Sequence, residues 1–182
     1  MAKNNLSTVP FVLSGLLLIT AGCASTSTVP SREFSPQITD GVTGAQVTLD
    51  DIKPLLAAAR HIYVSEEHTS QPDHHVQLRV LKAIAALGQE IVLGVEWLPH
   101  TSQGALSQWQ AEPLSKENFL ALVDWKNIWG FDIELYWPIL KWAHQNRVPI
   151  AALNAPSGLV FGYSKHGRAG LTAEDRQMLP PL

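Results

Sequence analysis

The chain has 182 residues, of which 46% are hydrophobic and 16% are charged, as in a globular domain of ordinary size. Its 16 acidic residues outnumber its 13 lysines and arginines, and no run of basic residues occurs. Because nucleic-acid binding requires a concentrated basic surface, this composition argues against nucleic acid as a partner.

The first 22 residues have the features of a secretory signal that ends at a lipidation site. Lys3 supplies a positive start, and the apolar run at 9–20 is shorter than the ~20 residues of a spanning helix. The sequence T-A-G-C then ends in Cys23, the single cysteine of the chain, and resembles a bacterial lipobox. We expect cleavage before Cys23 and its modification with lipid such as palmitate. An ordinary secretory signal with an incidental cysteine is the alternative.

Residue 24 is alanine rather than aspartate. In a Gram-negative cell this resembles the sorting signal of lipoproteins that are anchored in the outer membrane and face the periplasm. Residues 23–46 are rich in Ser, Thr, Pro and Gly, and this composition predicts a flexible tether between the lipid and the domain. The folded domain is predicted to occupy residues 47–182.

Helices and strands are predicted to alternate along this domain. Capping residues mark the helix starts and apolar residues recur behind them at helical spacing, the caps being Thr48, Ser70, Ser115 and Asp132. Two further helices are predicted at 157–166 and 172–178. Short apolar runs predict strands at residues 61–64, 91–95 and 148–153.

Strands separated by helices favour right-handed crossovers, so we predict an α/β fold: a parallel sheet with helices on both faces. A helical, Trp-rich insertion separates the second and third strands. Three strands make a small sheet for this class, and the chain stops just after a helix. We therefore expect an incomplete domain.

Polar residues follow each predicted strand. Glu66, Glu67 and His68 follow the first strand, Glu96 closes the second, and Asn154 closes the third. The carboxyl ends of parallel strands meet at one edge, where ligands bind, and a carboxylate there is costly unless it is paired or ligating. We therefore expect a site at this edge. The alternative is that Glu96 caps a turn or pairs with an arginine.

Three histidines lie close to this edge in the sequence. His68 and Glu96, together with one of His74 or His75, could surround a metal ion or act as acid and base on a substrate. The spacing is not that of a standard zinc motif. Helical phase places His74 toward the sheet and His75 elsewhere. The alternative for His74 or His75 is that the side chain interacts only with the helix dipole or with solvent.

All six tryptophans fall between residues 97 and 142. A packed helical core is the simpler interpretation of this segment. The alternative is an aromatic wall for a flat apolar ligand, with Tyr136 or Tyr163 as a phenolate ligand. Beyond the third strand, Lys165, His166 and Arg168 form a small basic cluster that could meet an anionic group, although a solvated helix end is the simpler interpretation.

Four motifs together resemble the ChaN family of haem-binding lipoproteins. They are Y-V-S-E-E-H at 63–68, G-V-E-W at 94–97, W-G-F-D-I-E-L-Y-W-P at 129–138 and V-P-I-A-A-L-N-A-P at 148–156. The resemblance implies an α/β fold related to the Tiki and erythromycin-esterase group, haem as the cofactor and a role in haem and iron uptake. The positions that match the site motifs are His68, His74, His75 and Glu96.

The resemblance further implies partners and an alternative function. It implies attachment to the membrane and a homodimer with two stacked haems and a tyrosine on each iron, for which Tyr136 and Tyr163 are candidates. The related enzymes imply instead a hydrolase, with or without a metal, in which Glu67 or Glu96 is the general base and His68 a ligand or acid.

The chain departs from the family at two points. Ser65 stands where the family usually has glycine. Family domains also continue for about another hundred residues, so a nonfunctional truncated fragment is a third possibility.

Overall fold

The computed structural model describes residues 37–179. The predicted signal, Cys23 and most of the predicted tether lie outside these residues. The end of the tether segment forms a small hairpin, in which β1 (Ile38–Thr39) pairs antiparallel with β2 (Gln46–Val47). This part of the chain is therefore hydrogen-bonded, unlike the flexible tether predicted for it.

Two capped helices follow the hairpin. In α1 (Leu49–Ala58), the side chain of Thr48 accepts the N–H of Asp51 while the Asp51 carboxylate accepts the N–H of Thr48, which is a capping box. In α2 (Gln71–Ala85), the hydroxyl of Ser70 accepts a backbone N–H of the first turn. Both predicted helix starts are confirmed.

The sheet that positions the site is a parallel pair in the described part of the chain. β3 (Leu93–Pro99) lies beside β4 (Ile150–Asn154), with Val95 opposite Ala152. The second and third predicted strands are confirmed with shifted boundaries, and the fold class is α/β. The prediction of a strand at residues 61–64 is wrong, because this segment pairs with no other strand.

Helices fill the remainder of the described chain. A 3-10 turn at His100–Ser102 follows β3, and four α-helices come next: α3 (Gln103–Ala111), α4 (Lys116–Val123), α5 (Trp125–Ile128) and α6 (Ile133–Gln145). Behind β4 come α7 (Ser157–His166), a 3-10 turn (Gly167–Gly170) and α8 (Ala173–Met178). Within residues 37–179, no helix has the length and apolar character needed to cross a bilayer.

The tryptophan-rich segment is mostly core, as its simpler interpretation predicted. The largest fully buried side chains are Trp109, Tyr136, Phe119, Leu98, Leu106 and Leu140. Two of the buried indole groups donate to backbone carbonyls: Trp109 Nε1 to that of Ser115 at 2.8 Å, and Trp125 Nε1 to that of Phe131 at 2.8 Å. These bonds fix the helices against one another because a buried donor without a partner is costly.

Two glutamine side chains of α3 cap the outer edge of β4. Gln103 accepts the N–H of Ala152 at 2.8 Å and donates to the carbonyl of Ile150 at 3.1 Å. Two helical turns later, Gln110 accepts the N–H of Ile150 at 3.0 Å and donates to the carbonyl of Val148 at 3.0 Å. These amides take the place of a neighbouring strand and protect an edge that would otherwise invite pairing with another chain.

Replacing Gln103 with leucine should lower the free energy of unfolding by about 1–3 kcal/mol, because the N–H of Ala152 and the carbonyl of Ile150 lose their partner. Urea denaturation measures the change. Gln108→Leu on the same helix is the control, since the Gln108 amide contacts only the exposed Glu112 carboxylate, and a change within about 0.5 kcal/mol is expected. Equal losses in both variants would contradict the role of Gln103 as an edge cap.

Candidate functional site

A buried carboxylate, that of Glu66, lies at the centre of the polar residues near the carboxyl end of β3. Its side chain is 3% exposed. Oε1 accepts the hydroxyl of Tyr136 at 3.1 Å and lies 3.1 Å from Nδ1 of His68. Oε2 lies 3.0 Å from Nδ1 of His74, in a charge contact that lacks the direction of a hydrogen bond. Because an unpaired buried charge is costly, these contacts hold three segments of the chain together.

His68 is a half-exposed imidazole in a fixed orientation. Its side chain is 39% exposed, and its ring centroid lies 4.7 Å from that of Trp129 and 4.9 Å from that of Phe131. A carboxylate can only accept, so Nδ1, which faces Glu66, carries the hydrogen in the neutral ring. Nε2 is then the nitrogen left to bind a metal, as in the carboxylate–histidine pairs of metal centres.

His74, by contrast, is a residue of the interior. It is 2% exposed, and its Nδ1 also lies 3.2 Å from Oε1 of Gln77. Its Nε2 lies 3.2 Å from the carbonyl oxygen of His68. Oxygen atoms of neighbouring residues thus lie close to both ring nitrogens, so the ring is held from both sides. The next residue, His75, is exposed, so the two histidines point apart as their helical phase predicted.

Tyr136 of α6 reaches the same cluster from inside the core. It is 0% exposed, and its hydroxyl oxygen lies 3.1 Å from Oε1 of Glu66 and 3.1 Å from the carbonyl oxygen of His68, so its single hydrogen is shared between these two acceptors. Burial raises the pKa of the Tyr136 phenol, and the negative charge of Glu66 raises it further. A neutral donor in this position supports the turn at His68, and the location disfavours the phenolate ligand considered for Tyr136.

Glu96 extends the cluster to the surface. It is exposed in the middle of β3, and one ligand atom from each of Glu66, His68 and Glu96 lies within 4.8 Å of the others. Two carboxylates and one imidazole at this separation form a donor set that suits a divalent cation. The structure therefore brings together His68 and Glu96, which the sequence placed at one edge.

Glu66, and not its neighbour Glu67, enters this cluster. The side chain of Glu67 is exposed, while its backbone N–H donates to Oδ2 of Asp73 at 2.8 Å. The sequence analysis assigned no role to Glu66. The signal that could have identified Glu66 is the alternation of an extended strand, in which every second side chain lies on the same face. Glu66 lies on the face of the half-buried Ile62 and Val64, whereas the odd-numbered residues of this segment are exposed.

The remaining candidates lie on α7. Tyr163 is 49% exposed, Phe161 is 67% exposed, and the ammonium of Lys165 lies 5.7 Å from the Phe161 ring centroid. His166 is exposed at the end of this helix. These side chains form a surface of aromatic and basic groups that is not part of the cluster at Glu66.

Replacing Glu66 with glutamine should lower the free energy of unfolding by about 1–3 kcal/mol, because the NH₂ group of the amide would then face either the donors from Tyr136 and His68 or Nδ1 of His74. Chemical denaturation at neutral pH measures the loss. Glu67→Gln is the matched control, one residue along the chain and exposed, and should change stability by no more than about 0.5 kcal/mol. A larger effect at Glu67 than at Glu66 would show that the cluster is assigned to the wrong carboxylate.

The chain also matches a known protein family over most of its length. Residues 54–182 match the family described as haem-binding uptake, Tiki superfamily, ChaN. No curated protein and no solved structure matches the chain. The family match covers well over half of the chain and includes the whole cluster. The chain therefore belongs to the ChaN family of the Tiki superfamily, whose domain is associated with haem-binding uptake.

Proposed function

We propose that this chain is a lipid-anchored protein of the cell envelope that binds haem through His68 and assists haem and iron uptake. The observation that carries the proposal is the imidazole of His68, which is half-exposed and held at Nδ1 by the buried Glu66 carboxylate. Membership of a haem-binding uptake family supports haem as the ligand.

The residues around His68 suit a haem group. An imidazole nitrogen is a common axial ligand of haem iron, and a carboxylate on the other ring nitrogen raises the basicity of that ligand. Trp129 and Phe131 lie between α5 and α6, contact the imidazole of His68 and offer aromatic surface to a flat apolar ring. Bound haem would supply the iron that this imidazole ligates.

The anchor in this proposal rests on the sequence near the N-terminus. Cleavage before Cys23 would leave a lipidated cysteine, and the residues that follow would connect it to the hairpin at Ile38–Thr39. Such an anchor would hold the domain at a membrane surface. A homodimer with two stacked haems stays a prediction of the family resemblance.

Titration with haem should produce a Soret band that saturates, and His68→Ala should weaken haem binding by at least about tenfold. His75→Ala, on the exposed side of α2, is the control and should bind as the native chain does. Tyr163→Phe tests the surface on α7. If Tyr163→Phe removes the band and His68→Ala does not, the assignment of His68 is wrong.

The cluster also favours a second candidate function. With ligand atoms within 4.8 Å of one another, Glu66, His68 and Glu96 could hold a divalent cation. A metal held there would polarise a bound water or carbonyl, as hydrolases of this general type require. The exposed position of Glu96 leaves the cation open to a substrate on one side.

Calorimetric titration with Zn²⁺ or Mn²⁺ separates the two functions. Glu96→Gln should weaken metal binding by about tenfold or more, because it removes one of three ligands, while the haem spectrum should persist because His68 remains. Glu67→Gln serves as the control for charge alone. Unchanged metal affinity in Glu96→Gln would contradict the three-residue site.

A further inference from the structure

The carboxylate oxygen that holds His68 is shared with a second donor. Oε1 of Glu66 lies 3.1 Å from Nδ1 of His68 and 3.1 Å from the hydroxyl oxygen of Tyr136. The imidazole and the phenol therefore draw on the negative charge of the same oxygen. Because hydrogen bonds in such a network polarise one another, the bond from either donor weakens the bond from the other.

Both contacts lie where water has little access. The side chain of Glu66 is 3% exposed and Tyr136 is 0% exposed. The ring of Tyr136 contacts those of His74 and Trp97, with centroids 4.4 Å and 4.7 Å away. A hydrogen bond in these surroundings is electrostatically stronger than one in water, so a change at Oε1 has a large effect on His68.

The imidazole of His68 transmits the state of this oxygen to a ligand on its other nitrogen. A carboxylate that accepts from Nδ1 raises the basicity of Nε2. Ferric haem iron carries one more positive charge than ferrous iron, so a more basic ligand stabilises the ferric form more strongly. The Glu96 carboxylate, with an oxygen within 4.8 Å of the ligand atoms of Glu66 and His68, adds negative charge that acts in the same direction.

We propose that Glu66 and Tyr136 act on His68 in opposite directions and together set the preference of the site for ferric over ferrous haem. This preference rests on the proposed function, in which His68 ligates the haem iron. Glu66 strengthens the imidazole as a ligand and favours ferric haem. The Tyr136 hydroxyl takes up part of the carboxylate charge and moderates the preference. Tyr136 is thus a positioning residue that acts on the iron through Glu66 and His68.

A purely structural role of Tyr136 leads to a different expectation. If its hydroxyl only supported the turn at His68, removal of the hydroxyl would loosen the imidazole, as removal of the Glu66 carboxylate does. Both changes would then shift the reduction midpoint of bound haem in the same direction. Shifts of opposite sign therefore distinguish competition at Oε1 from support of the turn.

Spectroelectrochemical titration of the haem-loaded chain measures the preference. Glu66→Leu removes the acceptor and should lower the ratio of ferric to ferrous affinity about tenfold, which for one electron raises the midpoint by about 59 mV. Tyr136→Phe removes only the hydroxyl and should increase this ratio about threefold. Tyr63→Phe, at a residue that is 91% exposed, is the matched control and should change the ratio by less than about twofold.

The same competition can be measured without haem. In Tyr136→Phe, Oε1 of Glu66 loses the phenol and accepts more fully from His68. The ¹⁵N resonance of His68 Nδ1 in the ligand-free chain should therefore move downfield, toward that of an unprotonated ring nitrogen. A cooperative melt shows that the variant is folded. An unchanged or upfield resonance in the folded variant would overturn the proposal.

His68→Ala separates this proposal from the function on which it rests. If His68→Ala binds haem as tightly as the native chain, His68 is not the ligand and both are wrong. If His68→Ala weakens binding while Glu66→Leu and Tyr136→Phe shift the midpoint in the same direction, or leave it unchanged, only the opposed roles are overturned. Should Glu66→Leu fail to fold, the sign for Tyr136→Phe decides alone: a lower midpoint supports the proposal, and an equal or higher one overturns it.

Discussion

The burial of one carboxylate, that of Glu66, is the constraint on which the site depends. A carboxylate with 3% exposure requires donors close to both oxygens, and here the donors come from three separate parts of the chain. α2 supplies His74, α6 supplies Tyr136, and the turn before α2 supplies His68. The contacts that stabilise the buried Glu66 carboxylate therefore fix the position of His68 and determine which of its two ring nitrogens is available to a ligand.

Aromatic side chains, most of them from the helical insertion, exclude water from the part of the cluster around Tyr136. The ring of Tyr136 lies 4.7 Å from that of Trp97 and 5.2 Å from that of Trp125, measured between centroids. The same burial that raises the pKa of the phenol makes its hydroxyl a dependable donor to Glu66. The insertion thus contributes twice to the site, through the buried Tyr136 and through the rings of Trp129 and Phe131 beside His68.

Local features of the sequence were predictable, and long-range pairing was not. Caps such as Thr48 and Ser70 act on the backbone within three residues, so their positions suffice to place helix starts. The helical phase likewise separates the buried His74 from the exposed His75. The segment at 61–64 has the alternation of a strand, but whether it forms a strand depends on another segment that lies within hydrogen-bonding distance of its backbone. Glu66 was missed because its role depends on Tyr136, which lies far along the chain.

The edges of the parallel sheet give a second example of long-range contacts that the sequence does not predict. Gln103 and Gln110 occupy helical positions of ordinary composition, and only the fold reveals that they act as a substitute strand. No comparable cap covers β3 in the part of the chain that the structure describes. Within the described residues, these glutamine caps therefore protect one edge of the small parallel sheet from pairing with another chain.

The central claim is that Glu66 holds His68 with its hydrogen on Nδ1 and with Nε2 free for a ligand. Long-range ¹H–¹⁵N NMR of the histidine rings in the ligand-free chain at neutral pH tests it directly. The account predicts the Nδ1–H tautomer for His68, which is the less common form in water, and its loss in Glu66→Leu, which has no acceptor. An Nε2–H tautomer for His68 in the native chain, or an unchanged His68 spectrum in Glu66→Leu, would contradict the account.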